Sequence, residues 1–480
     1  MNLRSFDVTS KDLSDLFRKF AEFLRSKEIL EKMRRYPSAF SRIYKFPFYD
    51  VLLYLIFRSE RCTSSEVSSY YGAIGKKELR VSKQAVFKAI SKVRWQVFPL
   101  LIRKLSELFY RSRCVKTFKG FILLAEDGTN NEICPTKEAV ERFGYVTNQS
   151  IHNVKDAKKA TSRSSALYDV TNGLIVDFSL EPFIKAEIPM AVEHLKHCHD
   201  FLSQRKAIYL ADRNYASVEL FSILEGYGFN YCIRGKPNFF KKQLKEMEGD
   251  DEWISVFVDK AWYKRLKYEQ PRIRFSLDPL IKIRVIRLDY RYTDKNGVEQ
   301  NAQLIYYTNL PEEEFSKEEI VSLYRKRWDI EVSYKTLKTD QEWERFFSKD
   351  CDSELCAIYS KIIFHNLTGI IRKQLDEVLA EEDDEDNKYT YRANINQLSK
   401  IAREFGLCRY LRSGNHKSLC KIIRLIFELR NKIKVPVRPD RHFQRWGRVV
   451  MTSAPMRFRL DGRNWPRVIQ KKGHLYTIRP

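Results

Sequence analysis

The chain has 480 residues, 43% of them hydrophobic and 13% aromatic, with only 17 Gly and 15 Pro; that length suits about three domains, and the composition excludes a disordered or fibrous chain. Its 87 Lys and Arg against 62 Asp and Glu give a net charge of +25, an excess that favours a polyanionic partner, nucleic acid before membrane surface, because each cation brought to a phosphate releases counterions. Mean hydropathy is −0.47, and the longest apolar runs, such as Val51–Phe57 and Phe121–Ala125, fall far short of the roughly 18 residues of a membrane span.

The opening Met1-Asn2-Leu3-Arg4-Ser5-Phe6-Asp7 carries an acid early and no unbroken apolar core, so a cytosolic location is expected. Nine widely spread cysteines without a CxxC pair predict reduced, mostly buried thiols. Thr63-Ser64-Ser65-Glu66 has capping-box spacing with Gly72 as a stop, which predicts a short helix. A second helix is predicted from Ser82, where Val86, Ala89, Ile90, Val93 and Val97 repeat at helical spacing and Lys83, Gln84, Lys88, Ser91, Lys92 and Arg94 face outward. Lys76 to Lys119 holds 13 Lys or Arg against Glu78 and Glu107. A basic second helix suggests a helix-turn-helix-like reader with Lys83, Lys88 and Lys92 on DNA, although about ten residues separate the helices where that motif uses three or four. An ordinary solvated basic face fits the same residues.

Further along, Phe121-Ile122-Leu123-Leu124-Ala125 reads as a buried strand that delivers Asp127 at its C-terminal end. Ser165–Val170 and Leu174–Leu180 flank Thr171-Asn172-Gly173, a hairpin signal. A helix over 187–201 precedes a second buried strand, Ala207–Ala211, which ends in Asp212; a helix over 217–225 and a strand over 229–234 follow. Strand, hairpin, helix, strand, helix, strand is the order of a ribonuclease H-like α/β core, and adjacent parallel strands would bring Asp127 and Asp212 together. His194, His197, Cys198 and His199 resemble a soft-metal set, but helical periodicity points them in different directions. Strands are then predicted over Trp253–Val258, Ile273–Leu277, Ile281–Asp289 and Gln303–Tyr307, with an Asn296-Gly297 turn. Alternation through Arg272–Phe275 and Ile281–Val285 places cations on one face, either a DNA-facing surface or a solvated one.

The next helix carries Tyr324, Arg327, Glu331 and Lys338, which share one narrow face at about 100° per residue, beside an apolar stripe of Leu323, Ile330 and Leu337. Three carboxylates converging at one site would repel, and divalent metal relieves that repulsion. Oxygen ligands in a site that must also hold phosphate suit two Mg²⁺ or Mn²⁺ ions, with Arg327 and Lys338 on flanking phosphates. An acidic run, Glu381–Asp386, reads as a solvated loop. From Arg438 to the end there are 11 Lys or Arg against Asp440 and Asp461, interleaved with Phe443, Trp446, Phe458, Trp465 and Tyr476. That pattern fits base stacking or a small basic tail with its own aromatic core.

Tyr-x2-Arg-x3-Glu-x6-Lys at Tyr324, Arg327, Glu331 and Lys338, with Asp127 in Glu-Asp-Gly-Thr and Asp212 in Ala-Asp-Arg-Asn-Tyr, resembles the DDE transposases of bacterial insertion sequences, in particular the insertion-sequence-4 family. The resemblance runs from about residue 50 to 430. It implies a helical N-terminal DNA-binding domain over 1–115, a ribonuclease H-like catalytic core over 116–236 and 316–380, a β insertion over 237–315, and a helical and basic C-terminal region over 381–480. It further implies two-metal cleavage of element ends followed by joining to target DNA, with Asp127, Asp212 and Glu331 as metal ligands and Tyr324 positioning the helix or the DNA backbone. The expected partners are double-stranded DNA, both terminal inverted repeats and target, and a second copy of the chain in the DNA complex; the expected location is the cytoplasm, at the nucleoid. Some relatives stack a flipped base on a Trp of the insertion, but Gln303–Tyr307 holds none, which leaves Tyr306, Tyr307, Trp253 and Trp262 as candidates. A ribonuclease H-like nuclease without strand transfer and a non-catalytic DNA-binding derivative are the alternative readings. Retention of all three acids weighs against the latter, and the long basic flanks against the former.

Overall fold

The computed structural model describes residues 3–42, 45–59, 62–147, 158–293, 298–346, 348–382, 388–404, 406–438, 467–471 and 474–478. Nine strands form one mixed sheet: β1 (Ile122–Glu132), β2 (Tyr145–Thr147), β3 (Lys158–Asp169), β4 (Leu174–Pro182), β5 (Ala207–Ala211), β6 (Asn230–Arg234), β7 (Asp251–Phe257), β8 (Leu280–Thr293) and β9 (Glu299–Thr308). Their order is β2-β3-β1-β5-β6-β9-β8-β7, with β4 paired to β3. β1, β5 and β6 run parallel, and their unbroken apolar runs are what strands covered on both faces require. The predicted hairpin is present as β3 and β4, with Gly173 at φ +68° in the turn.

Helices cover the sheet. Glu187–Leu202 and Val218–Gly226 fall where the sequence places them. The Cys351–Glu381 helix, 31 residues long and buried along most of its length, stacks Phe364 edge-on to Phe57 of the Phe48–Phe57 helix at 5.5 Å. Its Asn366 acts as a surrogate strand partner: the side chain accepts from Ile175 N and donates to Ile175 O, each at 2.8 Å. Because both backbone groups are buried, Asn366→Ala should cost about 2–3 kcal/mol in urea unfolding, whereas an unchanged midpoint would show that water replaces the amide.

Among the described residues up to 110 the regular elements are helices, from Leu3–Arg25 through Phe98–Tyr110, joined by turns and by an isolated bridge between Arg34 and Val93. The C-terminal helices Leu407–Ser413 and His416–Glu428 fold back onto this segment. Arg412 pairs with Asp50 at 2.6 Å, Tyr49 Oη donates to Leu411 O at 2.9 Å, and Arg25 donates to Leu411 O and Arg412 O. No helix among the described residues is long and apolar enough to cross a membrane. Seven of the cysteines are buried, Cys420 is half-buried, Cys62 is exposed, and all are free thiols.

Several expectations are corrected. The helix at Thr63–Ala73 begins after Cys62 without a side-chain cap; Glu66, with its capping spacing, instead turns inward to accept from Ser59 N at 2.8 Å and pair with Arg58. The helix capped by Ser82 stops at Ile90, and a separate 3-10 turn spans Trp95–Val97. Glu269–Leu277 is a helix rather than a strand, so Ile273 is exposed and Arg274 pairs with Glu225 at 2.9 Å. Arg284 is not on a cationic face. It is buried and forked onto Asp251 at 2.7 and 2.6 Å, while Ile281, Ile283 and Val285 are buried as expected. Strands β7, β8 and β9 extend the main sheet through pairing of β9 with β6. Asn296-Gly297, Asp383–Asp386 and residues 439–466, with their aromatics Phe443, Trp446, Phe458 and Trp465, lie outside the described residues; beyond them Arg467–Lys471 pairs with His474–Ile478 as a two-stranded ribbon.

Candidate active site

Parallel pairing of β1 with β5 ends at Glu126 opposite Ala211, so the next residue on each strand, Asp127 and Asp212, emerges side by side. Asp127 is not at the end of its strand as the sequence suggested. β1 continues to Glu132 against β3, with Asp127 opposite Ala166, and the carboxylate projects where the parallel part of the sheet stops. Asp212 caps the loop after β5 by accepting from Asn214 N at 2.7 Å.

The Tyr-Arg-Glu-Lys segment is not one helix. Lys317–Arg325 stops, the chain turns through Lys326 and Arg327, Trp328–Lys335 resumes, and Thr336–Asp340 widens into a π turn. Leu323, Ile330 and Leu337 are still all buried, so the apolar stripe anchors the broken helix as a continuous one would be anchored. Tyr334 Oη donates to Asp127 O at 2.8 Å and ties the second helix to β1.

Arg327 joins the acids. Its Nη2 donates to Glu331 Oε1 at 2.7 Å, its Nη1 lies 3.6 Å from Asp127 Oδ2, and its guanidinium sits over the Tyr324 ring at 5.6 Å. The Nε of Arg327 is buried without a hydrogen-bond partner. Tyr324 is itself packed on Tyr306 at 4.8 Å, and burial pushes its phenol up to about 12. Lys338 reaches back to the far part of β1, donating to Thr129 Oγ1 at 2.9 Å and Asn130 O at 2.6 Å, with Glu344 at 3.5 Å.

Burial pushes the Asp127 carboxyl up to about 7, with the charges of Asp212 and Glu331 adding to the rise and Arg327 and the Gly128 N–H opposing it. The three acids therefore share one electrostatic neighbourhood, with Arg327 as the counter-charge. Among the described residues no three His, Cys, Asp or Glu side chains are already closed into a metal-binding group. The donor set is nevertheless all carboxylate oxygen, which suits a hard divalent cation, and such a cation would balance the charges of Asp212 and Glu331 that add to the effect of burial at Asp127. A pH dependence follows. Below pH 4 Asp127 is protonated whether folded or not; between about 4 and 7 only the unfolded chain ionises, so stability falls as pH rises, and above 7 the loss is constant. In EDTA the loss should reach about 4 kcal/mol, and Asp127→Asn should remove it; urea midpoints at stepped pH values that coincide for the two proteins would contradict the placement.

The remaining sequence candidates scatter. Lys83 and Lys88 are exposed on the Lys83–Ile90 helix, whereas Lys92 lies past its end with its ammonium 5.8 Å from the Phe40 ring. Of the aromatics proposed for base stacking, Tyr306 and Tyr307 are buried, Trp262 packs with Phe239 and Phe240, and Trp253 is exposed. The histidines diverge as periodicity requires: His194 to Glu126, His197 to Asp177, His199 against the Tyr227 ring. Sequence reading missed Glu126, which is buried behind Asp127 and accepts from Ser165 Oγ at 2.5 Å while bonding His194 at 2.9 Å. The alternation of side chains along β1 was the available signal, since it sends residue 126 to the opposite face from residue 127.

No curated protein matches the chain. Among solved structures, a piggyBac transposase synaptic complex with hairpin DNA, determined by cryo-EM, is similar at a TM-score of 0.40 with 11% identity, over 88% of this chain and 85% of that one. The family model described as the transposase DDE domain matches residues 120–367, more than half of the 480 residues and the whole span that carries the three carboxylates. The chain belongs to the transposase DDE domain family.

Proposed function

We propose that the protein is an insertion-sequence transposase of the insertion-sequence-4 type, acting in the bacterial cytoplasm at the nucleoid, which cuts its element from DNA and joins it to a target. The observation that carries the reading is Arg327 held between Asp127 and Glu331, with Asp212 alongside on the neighbouring strand. The order β4-β3-β1-β5-β6 supports a ribonuclease H-like core over 116–236 and 316–380, with 237–315 as its β insertion. The helical segment 1–115, with exposed Lys83 and Lys88, and the basic region 381–480 are assigned to DNA. Two ends must be processed together, so a homodimer in the DNA complex is part of the proposal.

Asp127, Asp212 and Glu331 would hold two Mg²⁺ or Mn²⁺ ions, which when bound supply Lewis-acid stabilisation of the attacking and leaving oxygens. Arg327, restrained by the Tyr324 ring, would turn its fork from Glu331 to a phosphate. Asp127 would serve as a ligand in its ionised form, its proton passing to solvent. A water oxygen attacks phosphorus, the P–O3′ bond breaks, and the freed 3′-hydroxyl then attacks a phosphorus of the target, releasing that strand's 3′ oxygen. Lys338, tied to Thr129 and Asn130, keeps the end of β1 beside the helix and lies where a flanking phosphate would pass.

A supercoiled plasmid carrying the element ends, with Mg²⁺ or with EDTA, tests the reading. Metal-dependent end cleavage with joined products is expected. Cleavage without joining would instead identify a nuclease, and binding without cleavage a DNA-binding derivative.

A further inference from the structure

The nine-stranded sheet ends on β7, which pairs with β8 alone. Asp250 O accepts from Arg287 N at 2.7 Å and Val258 N donates to Pro279 O at 2.8 Å, so the even-numbered residues of β7 turn their backbone groups to β8. In an antiparallel ladder the residues between them turn theirs the other way. The N–H and C=O groups of Asp251, Trp253, Ser255 and Phe257 therefore point outward, and no strand among the described residues takes them. Sheet edges that stay unpaired are blunted by lysine, proline or a bulge. The run Asp251-Glu252-Trp253-Ile254-Ser255-Val256-Phe257 has no lysine or proline, and its register to β8 is unbroken.

The side chains beside this edge are apolar. Phe257 is 61% and Leu277 82% exposed, and Trp253, Ile273 and Leu280 are exposed with them. Five of the twelve large hydrophobics exposed among the described residues thus fall between Trp253 and Leu280, a concentration that marks an interaction site rather than scatter. Phe257 faces Leu280 across the β7–β8 ladder. Beside it opens a hollow of about 630 Å³, with Val258, Tyr263 and Phe275 in its lining.

Charge decides what covers this edge. Residues 246–252 hold five acids, Glu246, Glu248, Asp250, Asp251 and Glu252, and no cation, a run that repels a phosphate backbone. Residues 259–267 hold Lys260, Lys264, Arg265 and Lys267 against Asp259. The strand is therefore acidic at its start and basic beyond its end. A second β7 laid antiparallel sets each acidic end against the other's basic end, and it supplies the donors and acceptors that the outward backbone groups lack. One two-fold axis satisfies both copies and closes the assembly.

We propose that two copies of this chain pair through β7 in the absence of DNA, antiparallel about a two-fold axis at Ser255. Outward residues must meet outward residues, and of the registers that allow it this one sets Trp253 opposite Phe257 of the second copy, an aromatic cross-strand pair made twice. It also brings that Trp253 beside the hollow next to Phe257. The inference does not depend on the transposase reading, and it goes beyond the homodimer proposed for the DNA complex.

The test is sedimentation of the full-length protein without DNA over a concentration series. The mass should rise from 57.2 kDa towards twice that value. Ser255→Lys, at an exposed position, sets two ammonium groups face to face and should raise the dissociation constant of the dimer by at least about tenfold, with circular dichroism unchanged. Ser255→Cys should form a covalent dimer under mild oxidation, because directly opposed residues stand about 5.5 Å apart between Cα atoms; the wild-type protein, with its exposed Cys62, is the control. Should Ser255→Lys fold poorly, the cross-link alone decides. A mass fixed at 57.2 kDa throughout the series would overturn the proposal, as would a dimer indifferent to both Ser255 variants. Loss of affinity for a fluorescent duplex in Trp253→Ala, with the mass unchanged, would assign the patch to DNA and overturn it too. A protein that is monomeric alone and dimeric on DNA loses this interface and keeps the homodimer of the complex.

Discussion

Glu331→Gln is expected to lower plasmid end cleavage by about 10³-fold or more while leaving duplex binding within about threefold of wild type. The substitution keeps shape and hydrogen-bonding capacity but removes one of the three charges around Asp127. Arg327 loses its 2.7 Å carboxylate partner, so the amide variant also frees the guanidinium for a phosphate, and binding should not fall. Quantified nicked and joined products at matched protein concentration give the cleavage ratio, and circular dichroism excludes unfolding. Joined product at wild-type rate would remove Glu331 from the chemistry.

Asp251→Ala should destabilise the fold by about 3–5 kcal/mol, because it leaves the buried Arg284 guanidinium without its charge partner. Arg284 Nη1 also donates to Leu310 O at 3.2 Å and Phe315 O at 2.8 Å, so the pair fixes the segment that leads into the Lys317–Arg325 helix and hence the place of Arg327. Glu312, 4.0 Å from Arg284 Nε and half exposed, is too distant and too wet to substitute. The paired change Asp251→Leu/Arg284→Met should recover part of the loss, since it leaves no orphaned charge but takes the donor from Leu310 O and Phe315 O. Urea unfolding of the single and paired variants distinguishes this from simple loss of packing, which the paired change would not repair.

Much of the site could be read from residue order. Continuous apolar runs mark β1 and β5 because parallel strands covered on both faces tolerate little else, and an acid placed after such a run is conspicuous. The spacing of Tyr324, Arg327, Glu331 and Lys338 marks a common face even though the helix breaks at Lys326, because Leu323, Ile330 and Leu337 pin both halves to the same core. What sequence could not supply was partner choice. Glu66 looks like a cap because spacing is local, yet it answers to Arg58 and Ser59, which tertiary packing delivers. Arg284 follows strand alternation toward a cationic face, but burial beside Asp251 won. Residues 273–277 read as a strand through Ile273 and Phe275, but lie in the Glu269–Leu277 helix, whose Pro271 and Phe275 face inward; five residues carry no decisive period. The return of the C-terminal helices onto Arg25, Tyr49 and Asp50 spans more than 360 positions and leaves no periodic trace.

The central proposal is that Asp127, Asp212 and Glu331 surround the same pair of cations. Fe²⁺ with peroxide generates hydroxyl radicals at a bound ion and cuts the nearby backbone. The account predicts cuts in three places, near residues 127, 212 and 331, all suppressed together by excess Mg²⁺ and all lost in Asp212→Asn. Cuts at only one or two of those segments, or a pattern indifferent to Asp212→Asn, would contradict it.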